Sequence, residues 1–153
     1  MDDVAGRPAD VPTGYESDFY LWCYRQAELL RLRRFSAADL PNVIEELESM
    51  GRSDRRALKS SYRLLLHHLL KWQFQPEMRS PSWETTIDRE RDVINETEAE
   101  SPTLAAQART FVDETYPKAR RDAARETGID RAVFPPDCPY TLEQLRDDEW
   151  LPG

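Results

Sequence analysis

A chain of 153 residues is long enough for one domain with a single sizeable core and too short for two ordinary ones. Its net charge of −8 argues against a general nucleic-acid binder, because neutralising phosphates supplies most non-specific affinity. No apolar run approaches the roughly 18 residues of a membrane span, and Cys23 and Cys138 lie far apart with no CxxC partner, so the sequence predicts a soluble cytoplasmic protein with two free thiols.

Residues 1–14 hold two prolines, two glycines and three aspartates without periodicity, the composition of a mobile leader, and one helical domain is expected over 15–153. From Asp18 the run FYLWCYRQAELLRLRRF places Phe19, Trp22, Cys23, Gln26, Leu29 and Leu30 on one side of a helix, with Ser17 or Asp18 as its N-cap. Ser36–Asp39 reads as a turn. Pro41 then suits the first turn of a second helix, whose apolar positions are Leu40, Val43, Ile44, Leu47 and Met50. Gly51 follows, either as a cap or as a tolerated bend in one continuous rod.

Arg52–Trp72 is the strongest signal in the chain. Leu58, Tyr62, Leu65, Leu66 and Leu69 share one helical face with Trp72 at its edge, the pattern of a buried amphipathic helix. The opposite face carries Arg52, Arg56, Lys59, Arg63, His67 and Lys71, a basic stripe about five turns long. The segment holds six Lys and Arg against Asp54 alone, within an acidic chain. Two accounts are open: compensation by Glu45, Glu46, Glu48 and acidic neighbouring helices, or a docking surface for an acidic ligand or a protein. Under the first, the stability loss on substitution is expected at Arg52 and Arg56 and is small at Arg63.

Pro76 and Pro81 interrupt the helix and mark a connection. Around it Lys71, Gln75, Arg79 and Ser82 surround Trp72, Phe74 and Trp83, a mixture found in recognition patches. A helix from about Ser82 turns Trp83, Ile87 and Ile94 inward with Glu90 among them. Ser101 and Pro102 read as N-cap and first helical residue of another, with Leu104, Ala108, Phe111, Val112 and Thr115 inside. Pro117 is expected to kink or split it near residues 113–117, and Gly128 to end it. The proline-rich tail reads as a strap pinned by Phe134, Tyr140, Leu145 and Trp150, with a helical turn from Thr141. No strand-like alternation and no repeat occurs. The fold class is all-α, a compact bundle of about five main helices with an irregular C-terminal strap.

The runs YESDFYLW, VIEELESMGRSDRRAL, LLLHHLLKWQFQPEMRSPSWETTI, ESPTL and FPPDCPYTLEQL resemble the bacterial family catalogued as domain of unknown function twenty-nine. The resemblance spans Tyr15–Pro152 and implies an entirely helical protein without an established activity.

No HExxH, Glu-x-x-His, GxSxG or phosphate-binding glycine motif is present. His67 and His68 point about 100° apart on a helix, an awkward disposition for sharing an ion. No cofactor is indicated. The sequence therefore supports a small cytoplasmic interaction or adaptor module with a contact surface around Lys71–Trp83. Its alternative is a metal-dependent or acid–base enzyme using His68 with carboxylates of neighbouring helices.

Overall fold

The structure, a computed structural model, describes residues 14–153; the leader expected at the N-terminus lies, except for Gly14, outside the described residues. Six helices and no strand are found among them: α1 (Phe19–Arg31), α2 (Leu40–Phe74), α3 (Pro81–Glu100), α4 (Pro102–Ala106), α5 (Ala108–Thr127) and α6 (Leu142–Arg146). The all-α expectation holds. Four of the six helices are long, and two are short turns.

This fits the expected bundle of about five main helices, and it decides between the two readings of Gly51. Gly51 neither caps nor splits, and α2 runs 35 residues through it. Nothing lies within 4 Å of where a Cβ would stand on Gly51, so no packing demand put glycine there. The expected break near Pro117 falls instead at Gln107, between α4 and α5, while α5 continues through the proline. Pro117 is exposed, as is Asp113, whose carbonyl loses its helical donor. Water can satisfy such an oxygen on the solvent side of a helix.

Local chemistry accounts for the helix ends. Asp18 caps α1 by accepting from Leu21 N–H, and Ser80 caps α3 by accepting from Trp83 N–H, with Pro81 at the first helical position. Ser101 does the same for α4. Gly128, at φ 72°, terminates α5 in the left-handed region where a side chain is strained. Thr141 and Gln144 form a reciprocal capping box on α6.

The chain divides into two units between Arg52 and Ser53, so the single domain expected over 15–153 is described in two parts. In the second unit, Leu58, Tyr62, Leu65, Leu66 and Leu69 are fully buried, as their spacing predicted. Leu70, Ile87, Ile94, Phe111, Val112, Tyr116, Phe134 and Leu145 complete that core. Phe134, Tyr140 and Leu145 bring the strap into it, and Trp150 packs edge-on against Tyr140 at 5.5 Å. Arg91, fully buried, fixes the strap from α3 by donating from Nε to Leu145 O (3.1 Å) and from Nη2 to Gln144 O (3.0 Å). Tyr140 donates to Gln73 Oε1 at 2.8 Å.

The described part of the first unit, residues 14–52, is an antiparallel hairpin of α1 and the start of α2. Asp39 latches it: its carboxylate accepts from Trp22 Nε1 (3.1 Å) and Asn42 Nδ2 (2.8 Å), and its N–H donates to Gln26 Oε1 (2.6 Å). Tyr15 donates to Glu46 at the other end. Trp22 and Gln26 are the buried residues of α1. The expected inner positions Phe19, Ile44, Leu47 and Met50 are exposed, a correction to the sequence reading.

Candidate functional site

The basic stripe is compensated inside the fold along most of its length. Arg52 pairs with Glu45 (2.7 Å) and Glu48 (3.6 Å) on its own helix. Further along α2 the partners come from α5: Lys59 with Glu114, Arg63 with Asp122, and Lys71 with Glu126 (2.7 Å). These pairs ascend together in number, so α2 and α5 run in the same direction. Arg63 is the best held, donating from Nε (2.7 Å) and Nη2 (3.0 Å) to the two carboxylate oxygens of Asp122. Such a bidentate contact is the strong form of the ion pair. Arg56 has no carboxylate within ion-pair reach among the described residues; it borders a shallow cleft of about 260 Å³ with Lys59, Arg63 and Lys118. The pairing thus favours Arg63 over Arg56, whereas the larger stability loss was expected at Arg56.

At the C-terminal end of α2 the expected contact surface is largely engaged within the fold. Lys71 is only 1% exposed, with Nζ over the Trp83 ring at 4.4 Å from its centroid as well as on Glu126. It is a buried cation and not a surface one. Arg79 stacks over Trp72 at 4.9 Å and donates from Nε to the Trp72 carbonyl at 2.8 Å, closing the turn that Pro76 opens. Gln75 and Trp83 are half-buried, and Ser82 is exposed, with its carbonyl accepting from Thr86.

The histidines sit beside this cluster with ring centroids 4.9 Å apart. His67 Nε2 lies 2.7 Å from Glu126 Oε2 but off the line of a hydrogen bond. His68 Nδ1 is 2.9 Å from the Leu64 carbonyl. Burial holds both imidazoles below their usual range, and for His67 the adjacent His68 adds to it. Burial pushes Glu126 upward, but the Lys71 ammonium outweighs it and leaves the carboxylate below its usual range. Arg63 does the same for Asp122. Among the described residues no group of three or more His, Cys, Asp or Glu is placed to hold a metal ion.

A different surface stands out, and the sequence reading placed four of its residues, Phe19, Ile44, Leu47 and Met50, inward. Nine large hydrophobic residues of the hairpin are exposed: Phe19, Tyr20, Leu21, Tyr24, Leu32, Phe35, Ile44, Leu47 and Met50. Tyr20 is 73% exposed, and Leu47 and Met50 are each 64%. Tyr20 and Tyr24 lie side by side, 5.0 Å between ring centroids. Projected at 100° per residue in an antiparallel pair, Tyr20, Leu47 and Met50 fall on one side of the hairpin. The signal available in the sequence was quantitative: α1 and the opening turns of α2 carry more apolar residues than the two can cover against each other.

The acids of α5 that meet the stripe were also missed by number. Their trace in the sequence is the recurrence of Asp122 and Glu126 at four residues, matching the rhythm of Lys59, Arg63, His67 and Lys71.

The family model described as Domain of unknown function DUF29 matches residues 14–151, and the chain belongs to that family. No curated protein and no solved structure matches it significantly. No helix among the described residues is long and apolar enough to cross a membrane.

Proposed function

We propose that this DUF29 member is a cytoplasmic protein-interaction module, without catalytic chemistry of its own, whose contact surface is the apolar side of the hairpin 14–52. One observation carries the reading: large aromatic and aliphatic side chains lie bare on a unit that buries little of its own surface. Large apolar side chains left exposed together on one side, as Tyr20, Leu47 and Met50 are, mark contact sites in soluble proteins. Aromatic residues in particular supply much of the energy at protein interfaces. The two free thiols, Cys23 and Cys138, fit a reducing compartment. The turn from Lys71 to Trp83 is a weaker place for the contact, because its cations are already bound to Glu126, Trp83 and the Trp72 carbonyl.

A photo-crosslinking side chain introduced at Leu47 or Tyr20 tests this in living cells, with one at the exposed Asp92 of α3 as control. Discrete adducts from the two hairpin positions and none from Asp92, with both crosslinked peptides identified, are expected. No adduct from either hairpin position would overturn the reading.

A further inference from the structure

We propose that the cleft between α2 and α5, within the second unit, binds a phosphoryl dianion carried by inorganic phosphate or by a small phosphate ester. The site is separate from the contact surface on the hairpin and does not depend on it.

Its lining comes from two helices. Arg56, Ser60 and Arg63 recur at i, i+4 and i+7 on α2 with Lys59 beside them, and α5 contributes Thr115 and Lys118. Four cations thus border a space of about 260 Å³. Thr115 is buried, and its hydroxyl donates to the Phe111 carbonyl at 2.6 Å, so it gives the cleft a wall and no donor. Like charges gathered in one concavity repel one another and focus their field on it, which favours an anion there.

The fold compensates only half of this charge. Lys59 pairs with Glu114 and Arg63 with Asp122, whereas neither Arg56 nor Lys118 has a carboxylate within ion-pair reach among the described residues. Acids are not scarce: the chain holds 29 Asp and Glu against 21 Lys and Arg. Two positive charges are left over. The donors left with them are the whole guanidinium of Arg56, the Lys118 ammonium and Nη1 of Arg63, since Asp122 occupies only Nε and Nη2 of that side chain. The Ser60 hydroxyl, without a partner among the described residues, adds a neutral donor on the same wall.

Size and charge select the occupant. Sites for drug-sized molecules enclose roughly 300–1,000 Å³, so a shallow cleft smaller than that suits one compact group. A phosphoryl group carries a charge of about −1.5 to −2 at neutral pH and three strong acceptor oxygens. That charge matches the two cations the fold leaves unanswered, where a carboxylate would answer one. Guanidinium forks and ammonium groups are also the side chains that hold phosphate best.

Amide NMR spectra of the full chain, titrated with sodium phosphate at pH 7.5 while chloride keeps the ionic strength at about 0.15 M, test the inference. Saturable shifts are expected at Arg56, Ser60 and Lys118, with a midpoint below roughly 10 mM. A parallel titration with glycerol phosphate distinguishes the sources: tighter binding than inorganic phosphate assigns the site to an ester, and weaker binding assigns it to the free ion. R56Q/K118Q should bind phosphate at least tenfold more weakly with an unchanged melting temperature, because neither side chain has an ion pair to lose. R34Q/R131Q removes two exposed charges outside the cleft and should bind as the unaltered chain does. Failure of both phosphate compounds to saturate any of the three amides would overturn the inference. Equal weakening in R56Q/K118Q and R34Q/R131Q would overturn it as well, since net charge and not the cleft would then account for the binding.

Discussion

Lys71 and Glu126 form an ion pair of unequal burial: the ammonium is enclosed and the carboxylate, 2.7 Å away, is half in water. That inequality decides which partner the fold needs more. E126Q strands a buried cation with only the Trp83 ring beside it, whereas K71M keeps the stem against the indole and leaves a carboxylate that water can solvate. E126Q is expected to cost about 1–3 kcal/mol, below the figure for a fully buried pair because Glu126 is half exposed. K71M should cost less. Urea denaturation with unchanged m-value measures both, and a larger loss in K71M would show that the ammonium matters more as a donor than as a buried charge.

Along the same stripe, Arg63 and Arg56 should behave oppositely. R63Q removes two charge-assisted hydrogen bonds and leaves Asp122, itself less than a quarter exposed, without its counter-charge. Discounted for the partial exposure of Arg63, the loss should be about 1 kcal/mol. R56Q has no ion pair to lose and should stay within about 0.5 kcal/mol. Comparable losses at the two positions would mean that the stripe acts through its summed field and not through discrete pairs.

How much was legible in the sequence followed from how local the cause was. Leu58, Tyr62, Leu65 and Leu69 could be placed in the core because periodicity alone reports a buried stripe. The caps at Asp18, Ser101 and Thr141 and the terminator Gly128 were readable for the same reason, since each is satisfied within a few residues of itself. Ile44 and Leu47 have an equally regular stripe, yet periodicity says only that a face is apolar and not whether the chain covers it. Lys71 was misplaced because its burial depends on Glu126 and Trp83, 55 and 12 residues away. Helix α5 passing through Pro117 has a similar origin: the side of the helix on which the freed carbonyl falls decides whether proline breaks it.

The two helix glycines provide a paired test of backbone conformation. Gly51 lies inside α2, exposed, with ordinary helical geometry and open space where a Cβ would stand. G51A should therefore stabilise the protein by about 0.5–1 kcal/mol through helix propensity and reduced freedom of the unfolded chain. Gly128 has equal space but a φ of 72°. G128A should destabilise by about 1 kcal/mol, because the left-handed region strains any residue with a Cβ. Thermal melts of both variants check the pair; a loss at G51A would reveal that the helix needs to bend at that point.

Acid should weaken the protein in two stages, with signs set by the groups around Glu126. His67 faces His68, Glu126, Lys71 and Asp122, while His68 faces the Leu64 carbonyl, Lys71, Glu126 and Glu90. Burial is the largest influence on each imidazole and holds both below the usual 6.5 in the folded chain. The unfolded chain therefore binds more protons as pH falls below about 6.5, and folding stability declines from there towards the lower folded values. Asp122 and Glu126 are also depressed, from 3.8 and 4.5, by Arg63 and Lys71 acting against burial. Their contribution is present above those values and is lost as pH falls through the lower folded ones. Urea midpoints between pH 8 and 3 should show a plateau above about pH 7, a first decline below about 6.5 and a second below about 4.5. H67Q/H68Q should remove the first decline and keep the second, and R63Q should shrink the second alone. A first decline that persists in H67Q/H68Q would place its source outside these two rings, and a flat profile between pH 7 and 5 in the unaltered protein would show that both imidazoles protonate freely in the fold.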